Sequence, residues 1–205
     1  AAGGTICASE IAISQGACMH IGGGYHHAYP DHAEGFCYIN DVAVAIQKLK
    51  RSKRLERVVV IDCDLHQGNG TAFIFASDPT VFTFSIHQEN NYPPKERSDC
   101  DIGLPDGADD ELYIKELGVI SEILQVESPD IVFYLAGADP YLEDKLGGLC
   151  LSKEGLARRD ELVLCECKKL GIPVCIVLAG GYAIDVRDDV EIHVRTAEIA
   201  KRLFG

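Results

Sequence analysis

Three groups that can bind a metal ion follow one another at two-residue intervals in the segment VVVIDCDLHQGNG: Asp62, Asp64 and His66. On an extended backbone, alternate side chains point to the same side, so these groups are expected to face one site. Crowding acidic groups at the edge of a sheet is costly unless a cation compensates their charge. Asp139, which ends the stretch IVFYLAGAD, can add a ligand from a neighbouring strand.

The side chains of Asp64, His66 and Asp139 would leave one coordination position of a metal ion open. Oxygen and nitrogen ligands with an open position are typical of catalytic zinc, whose bound water has a pKa of about 7. Iron or manganese could use the same ligands. The pattern therefore predicts a metal centre and leaves the choice of metal open.

Two further motifs carry groups that could move or donate a proton. His26 and His27 are adjacent in the glycine-rich segment GGGYHHAY, and could be ligands or acid–base groups. If the other three residues hold the metal, the two imidazoles are free for proton transfer. Tyr182 follows two glycines in AGGY, where its phenol could donate to a developing oxyanion, or could simply pack against a loop.

The elements that would position these groups alternate between strand and helix. Five apolar runs predict buried strands, and segments between them have the apolar spacing of helices. This order predicts an α/β fold of three layers, with a mainly parallel sheet and helices on both faces. Each polar motif follows a strand, at the sheet edge where ligands bind in such folds. The predicted strands are Ala17–Ile21, Arg57–Asp62, Val81–Ser85, Asp130–Ala136 and Pro173–Leu178; the predicted helices include Ile39–Arg51, Asp109–Glu127 and Ser152–Leu170.

Length and composition narrow the class of protein. A chain of 205 residues is the size of one domain, predicted here to span 1–205. A net charge of −13 argues against direct nucleic-acid binding, and no apolar run is long enough for a membrane helix. The nine cysteines contain no CxxC pair, and most lie in apolar stretches. They are expected to be reduced core thiols of a cytoplasmic protein, or a nuclear one in a eukaryote. Because the chain starts without methionine inside a predicted helix, the N-terminal part of the domain is expected to be missing.

Several segments together resemble one family. In content, order and spacing, GGGYHHAYPDHAEGFCYINDVAVAI, VVVIDCDLHQGNGT, GADPY, DKLGGLCLS and LAGGY are similar to zinc-dependent histone deacetylases, which have the arginase/deacetylase fold. The likeness covers nearly the whole chain. HQGNG and RRDELV are most similar to the class IV branch and its bacterial relatives. The resemblance implies a metal-dependent amidohydrolase that removes acyl groups from lysine in histones or other proteins, or from small molecules such as acetylpolyamines.

The resemblance also implies roles for individual residues. It assigns the zinc ligands to Asp64, His66 and Asp139, in agreement with the spacing. It makes His27 the general base and acid, and His26 its partner, oriented by Asp62. Tyr182 is implied to polarise the scissile carbonyl together with zinc. Further implied positions are the acyl-lysine channel (Gly35, Phe36, Leu146) and the shell of a structural potassium ion, partly through backbone carbonyls (Asp62, Asp64, His66, Ser85, Ile86).

One position departs from the family pattern. Where many members have an aspartate beside the second histidine, this chain has Asn69, which can accept a hydrogen bond but carries no charge. His27 is therefore expected to be a weaker base than in a relative with aspartate. The segment at 87–97 (HQENNYPPKER) is expected to form one wall of the substrate pocket.

Two other functions fit the sequence less well. A two-manganese ureohydrolase would need further carboxylates where Gly68, Gly137 and Tyr141 stand. A binding module that retains the acyl-lysine pocket without catalysis is disfavoured because both histidines and Tyr182 are present.

Overall fold

The chain folds around one six-stranded sheet, seen in a computed structural model that describes residues 1–52 and 55–205. All neighbouring strands are parallel, and their order across the sheet is β1-β6-β5-β2-β3-β4. The strands are β1 (Ala17–His20), β2 (Val58–Asp62), β3 (Val81–Gln88), β4 (Cys100–Leu104), β5 (Ile131–Leu135) and β6 (Val174–Val177). The helices are α1 (Ala2–Gln15), α2 (Asp41–Arg51), α3 (Asn69–Phe75), α4 (Asp110–Leu117), α5 (Ile120–Glu127), α6 (Lys153–Leu170) and α7 (Val186–Phe204).

Alternating strand residues pack into two separate cores, one on each face of the sheet. Val58 and Val60 of β2 face the cluster that α1, α2 and α3 cover. Val59 and Ile61 face the larger cluster that α4 to α7 cover. Because both faces are covered, β2 is buried throughout its length, which explains its unbroken apolar sequence. The predicted three-layer α/β fold is confirmed, and its sheet is wholly parallel over the strands described.

The structure contains helices and strands that were not predicted from the sequence, and it corrects one predicted helix. Strand β4 was not predicted because it lies at the sheet edge, and its half-exposed sequence CDIGL contains Asp and Gly, which are depleted in strands. The helix predicted over Asp109–Glu127 is two helices, α4 and α5, separated at Gly118 and Val119. Helix α7 adds a final amphipathic helix that buries Ile192, Thr196 and Ile199.

The expectation that most cysteines are core thiols is only partly right. Cys37, Cys63, Cys167 and Cys175 are buried, two others are half-buried, and Cys7, Cys150 and Cys165 are exposed. Cys165 is exposed and Cys167 is buried because the two residues lie two positions apart on α6 and face different directions. None of the described helices is both long enough and apolar enough to cross a membrane.

The border between β2 and β5 is the topological switch point of the sheet. From β2 the chain proceeds outward to β3 and β4, whereas β5 and β6 lie on the other side of β2. Asp62, at the end of β2, pairs with Leu135 of β5 and with Ser85 of β3. Since loops diverge beyond such a border, a cleft opens at the carboxyl ends of these strands.

Candidate active site

Asp64 and His66, from the loop after β2, meet Asp139, from the loop after β5, in this cleft. Ligand atoms of all three lie within 4.8 Å of one another, and all three residues are buried. Nδ1 of His66 lies 3.3 Å from Oδ1 of Asp64 and 3.3 Å from Oδ2 of Asp139. Such an arrangement of two carboxylates and one imidazole around a common point can hold a cation.

Backbone N–H groups orient the two carboxylates. Leu65 donates to Oδ1 of Asp139 at 2.9 Å, which leaves Oδ2 facing the cluster. Gly180 donates to Oδ2 of Asp64 at 2.7 Å, and His66 donates to Oδ1 at 2.9 Å. N–H groups from two loops, the one after β2 and the one after β6, therefore fix these carboxylates before any ion is bound.

The cluster fits a metal ion by its charge as well as by its donor atoms. Burial opposes a charged imidazole, but Asp139 and Asp64 outweigh it and raise the pKa of His66 to about 10. Burial and the charge of Asp64 raise the pKa of Asp139 above its ordinary value. Oδ2 of Asp139 is buried and has no hydrogen-bond partner, and its nearest charged neighbour is the imidazole of His66 at 3.3 Å. A divalent cation would satisfy this orphaned oxygen and neutralise the crowded carboxylates.

Gly180 allows the cluster to form at all. A Cβ atom at this position would lie 2.3 Å from Oδ2 of Asp139 and 2.7 Å from Oδ2 of Asp64. Any side chain would therefore occupy the space between the carboxylates. The glycine in AGGY is explained by this close approach, because its backbone conformation is ordinary.

His26 is the inner member of the tandem pair and is held as a cation. Its Nδ1 donates to Oδ2 of Asp62 at 2.7 Å, and its Nε2 lies 3.7 Å from Oδ1 of Asp64. Burial opposes the charge, but Asp62 and Asp64 outweigh it and raise the pKa of His26 to about 9. Asp62 also accepts from the N–H of Asp64 at 3.1 Å, so it orients both the histidine and a neighbouring ligand.

His27, in contrast, is neutral near neutral pH. Burial and the adjacent positive charge of His26 lower the pKa of His27 to about 3. Its Nδ1 lies 2.7 Å from Oδ1 of Asn69, and the Asn69 amide donates to Oε1 of Glu34 at 3.0 Å. Because Glu34 can only accept, the amide orientation is fixed, and Nδ1 of His27 must carry the proton. Nε2 of His27 is thus left as the free basic nitrogen.

The loop that carries both histidines is tied to the start of α2 and to the 35–36 turn. Asp41 accepts from the N–H groups of Gly24 and Tyr25 at 3.0 and 2.8 Å. Gly35 has φ +50°, and a Cβ atom there would lie 2.3 Å from Cδ2 of His27. Glycine is required at 35 both by its left-handed backbone and by contact with the imidazole.

A cavity of about 540 Å³ leads to the cluster from the surface. Phe36 and Tyr182 lie on its rim with ring centroids 6.1 Å apart. Tyr92 packs edge-on against His27 at 5.2 Å and His66 at 6.1 Å. Every position expected to line a substrate channel borders this cavity (Gly35, Phe36, Leu146), together with Asn91 and Tyr92 from the segment expected to form a wall.

Tyr182 reaches the cavity from the loop after β6 and remains half-exposed. Burial and the charges of Asp64 and Asp139 raise the pKa of its phenol to about 12, so it stays protonated near neutral pH. A protonated phenol in this place is able to donate a hydrogen bond to a bound molecule.

Two residues with no predicted role position the walls. Asp144 accepts from the N–H groups of Tyr182 and Leu146, both at 2.7 Å, and so joins the two loops that form the rim. Gln67 is buried, donates to Asp101 at 2.8 Å and accepts from the N–H of Glu96 at 2.8 Å. The contacts of Asp144 with Tyr182 and of Gln67 with Asp101 and Glu96 have no local sequence signal, since they join residues far apart in the chain.

The remaining predicted positions lie beside the cluster. Ser85 and Ile86 are buried in β3 next to the end of β2, and the Ser85 hydroxyl lies 2.9 Å from Nδ1 of His87. Within residues 1–52 and 55–205, Asp64, His66 and Asp139 are the one group of three or more metal-binding side chains. This agrees with the absence of carboxylates at Gly68, Gly137 and Tyr141.

The chain is similar to known proteins over nearly its whole length. Residues 1–197 match the family model described as histone deacetylase domain. An uncharacterised protein of Picosynechococcus sp. is 46% identical over 206 residues, which cover 100% of this chain and 69% of that protein. Histone deacetylase 2 of Arabidopsis thaliana is 34% identical over 188 residues, covering 88% and 48%. Histone deacetylase 1 of Homo sapiens is 35% identical over 175 residues, covering 79% and 35%.

The chain therefore spans about two thirds of the Picosynechococcus protein, and half or less of the Arabidopsis and human ones. The match to the family model nevertheless includes both histidines, the three-residue cluster and Tyr182. On these grounds the chain belongs to the histone deacetylase domain family.

Proposed function

We propose that the protein hydrolyses acyl-amides, with zinc held by Asp64, His66 and Asp139. The observation that carries this proposal is the pairing of that buried cluster with two adjacent imidazoles whose pKa values are moved in opposite directions. Groups so divided are suited to separate roles in acid–base catalysis. Zinc in this site would supply Lewis acidity toward an acyl oxygen and would lower the pKa of water.

The residues of the chain would contribute binding, orientation and proton transfer. Nε2 of His27 would accept a proton from the attacking water, because its Nδ1 is occupied by Asn69. The same nitrogen would then protonate the leaving amine. His26, held as a cation by Asp62, would stabilise negative charge as it develops, and the phenol of Tyr182 would donate to the acyl oxygen.

The lining of the cavity suits a linear substrate with an apolar stem. Phe36, Leu146 and Tyr92 offer apolar and aromatic surface, while the polar groups lie at its inner end. An acyl-lysine side chain has this distribution, with the amide at the end of a chain of methylenes. We propose acyl-lysine in histone or other proteins as the substrate, and acetylated small molecules such as acetylpolyamines as the second candidate.

Turnover by the intact protein tests the proposal. Tyr182→Phe should lower kcat on an acetyl-lysine peptide by about 10²- to 10³-fold, the usual effect of losing one donor to an oxyanion, with zinc content unchanged. Tyr38→Phe, at an exposed tyrosine outside the cavity, is the matched control. Asp64→Asn should instead reduce zinc content. Full activity in Tyr182→Phe would contradict the assigned role.

Two finer assignments also belong to the proposal. We propose a structural potassium ion near Asp62, Asp64, His66, Ser85 and Ile86, supported by the pairing of Asp62 with Ser85 across adjacent strands. Thermal unfolding should then occur at a higher temperature in potassium than in tetramethylammonium chloride. Membership of the class IV branch is supported by the HQGNG and RRDELV segments alone.

A further inference from the structure

A buried guanidinium lies directly behind the two loops that carry the metal-binding carboxylates. Arg159 of α6 has 0% of its surface exposed. Its Nη1 donates to the carbonyl of Gly137 at 2.5 Å and to the carbonyl of Cys63 at 3.3 Å. Cys63 immediately precedes Asp64, and Gly137 stands two residues before Asp139. One side chain thus contacts the backbone of both ligand-bearing segments.

These carbonyls lie where strand pairing has ended. The N–H of Cys63 donates to the carbonyl of Leu135 at 3.1 Å, beyond which the two segments separate. No backbone N–H of residues 1–52 or 55–205 donates to the carbonyl of Cys63 or Gly137. A buried carbonyl that has lost its hydrogen bonds to water and finds no protein donor destabilises a fold. Arg159 supplies the partner that the sheet does not.

The guanidinium is itself held firmly in place by Asp160. Nε of Arg159 donates to Oδ1 of Asp160 at 2.9 Å, and Nη2 lies 2.8 Å from the same oxygen in an ion pair without a hydrogen bond. Asp160 also accepts from the hydroxyls of Tyr134 at 2.5 Å and Thr196 at 2.6 Å. A buried ion pair is often no more stabilising than apolar side chains of the same volume. Stability alone therefore does not explain why Arg159 and Asp160 are buried at this place.

We infer that Arg159 is a positioning residue of the metal site, which fixes the separation of Asp64 and Asp139 through the carbonyls of Cys63 and Gly137. The inference rests on the proposed function in so far as it takes these two carboxylates as metal ligands. Arginine suits this task because its planar fork can donate in several directions at once, whereas the lysine ammonium is a single point of charge. Arg159 lies within the RRDELV segment, to which the sequence alone gave no role in the site.

Arg159→Lys in the intact protein tests the inference. Lysine keeps the positive charge beside Asp160 but cannot bridge both carbonyls. The dissociation constant for Zn²⁺, measured by competition with a chromogenic chelator, should rise about 10- to 100-fold, as when outer partners of metal ligands are removed elsewhere. The visible absorption spectrum of the Co²⁺-substituted protein should also change, since it reports ligand geometry.

Thr196→Val is the matched control. It removes one hydrogen bond to Asp160 on the α7 side and leaves both carbonyl contacts of Arg159 unchanged. It should lower the melting temperature of the metal-free protein without changing Zn²⁺ affinity or the Co²⁺ spectrum. If Arg159→Lys does not fold, the charge-neutral double variant Arg159→Gln/Asp160→Asn replaces it, with the same expected loss of affinity.

The outcomes separate this inference from the proposed function. An unchanged Zn²⁺ dissociation constant and Co²⁺ spectrum in the folded Arg159 variant, with only the melting temperature lowered, would show a purely structural role and overturn the inference. Absence of Zn²⁺ and Co²⁺ binding in the unsubstituted protein would overturn the inference and the proposed metal site together.

Discussion

The substitution Gly180→Ala should abolish tight metal binding, because it places a methyl group between the two carboxylates. The added Cβ would lie 2.3 Å from Oδ2 of Asp139 and 2.7 Å from Oδ2 of Asp64. Non-bonded carbon and oxygen atoms prefer a separation of about 3.5 Å, so Asp139 would have to move by roughly 1 Å. Metal–ligand distances tolerate deviations of only about 0.2 Å.

From this displacement we expect the dissociation constant for Zn²⁺ to rise at least about 100-fold, because loss of an outer partner of a metal ligand alone lowers metal affinity by about 10- to 100-fold. Chelator competition measures it, and thermal unfolding of the metal-free protein checks the fold. Gly181→Ala is the control, since the nearest neighbours of its Cβ would be Ala138 and Asp189, at 3.1 and 3.2 Å, rather than a metal-binding carboxylate. Equal Zn²⁺ affinity in the two variants would refute the reasoning.

Three further predictions follow from individual contacts. Asn69→Asp should place a negative charge beside His27 and raise its pKa, so the acid limb of the kcat/KM profile on an acetyl-lysine peptide moves to higher pH; an unmoved limb counts against it. Asp144→Ala should release the loops of Tyr182 and Leu146 and lower kcat by about 10-fold with Zn²⁺ affinity unchanged, whereas unaltered kcat would exclude this positioning role. Burial lowers the pKa of His193 in the folded protein to about 4, whereas an unfolded histidine has a pKa of about 6.5. Between these pH values the unfolded chain binds more protons at His193 than the folded one. The free energy of unfolding should therefore fall as pH decreases from about 6.5 to about 4. Discounted for partial exposure, the loss is about 1 to 2 kcal/mol in urea unfolding, and His193→Gln should reduce it; an identical pH dependence in the variant would contradict this assignment.

The layers of the fold could be predicted from the sequence because buried parallel strands have an unambiguous pattern. Val58 to Ile61 are apolar without interruption, and the structure buries them between two helical layers. Strand β4 could not be predicted in this way. Its residues are half-exposed at the sheet edge, where pairing with β3 rather than burial determines the extended conformation.

The meeting of Asp64, His66 and Asp139 could also be predicted, because parallel strands bring their carboxyl ends to one edge. The structure adds that the segment beyond Asp62 is no longer a strand, so backbone N–H groups from Leu65, His66 and Gly180, rather than strand alternation, aim the carboxylates. Such contacts depend on how separate loops pack, which local spacing does not encode.

Other groups at the site depend wholly on long-range contacts. Glu34 reaches the amide of Asn69, Asp144 reaches the backbone of Tyr182, and Arg159 reaches the carbonyl of Cys63. Taken alone, each of these residues is typical of a solvated surface. Only the folded chain shows that each of them contacts a segment that carries the chemistry.

The central claim, a hydrolase that uses one metal ion, is tested most directly by adding Zn²⁺ to the metal-free intact protein while turnover of an acetyl-lysine peptide is measured. We expect activity to rise in proportion to added Zn²⁺ up to one equivalent per chain and then to remain constant. Activity that requires two equivalents, or no turnover at one equivalent of bound Zn²⁺, would contradict the account.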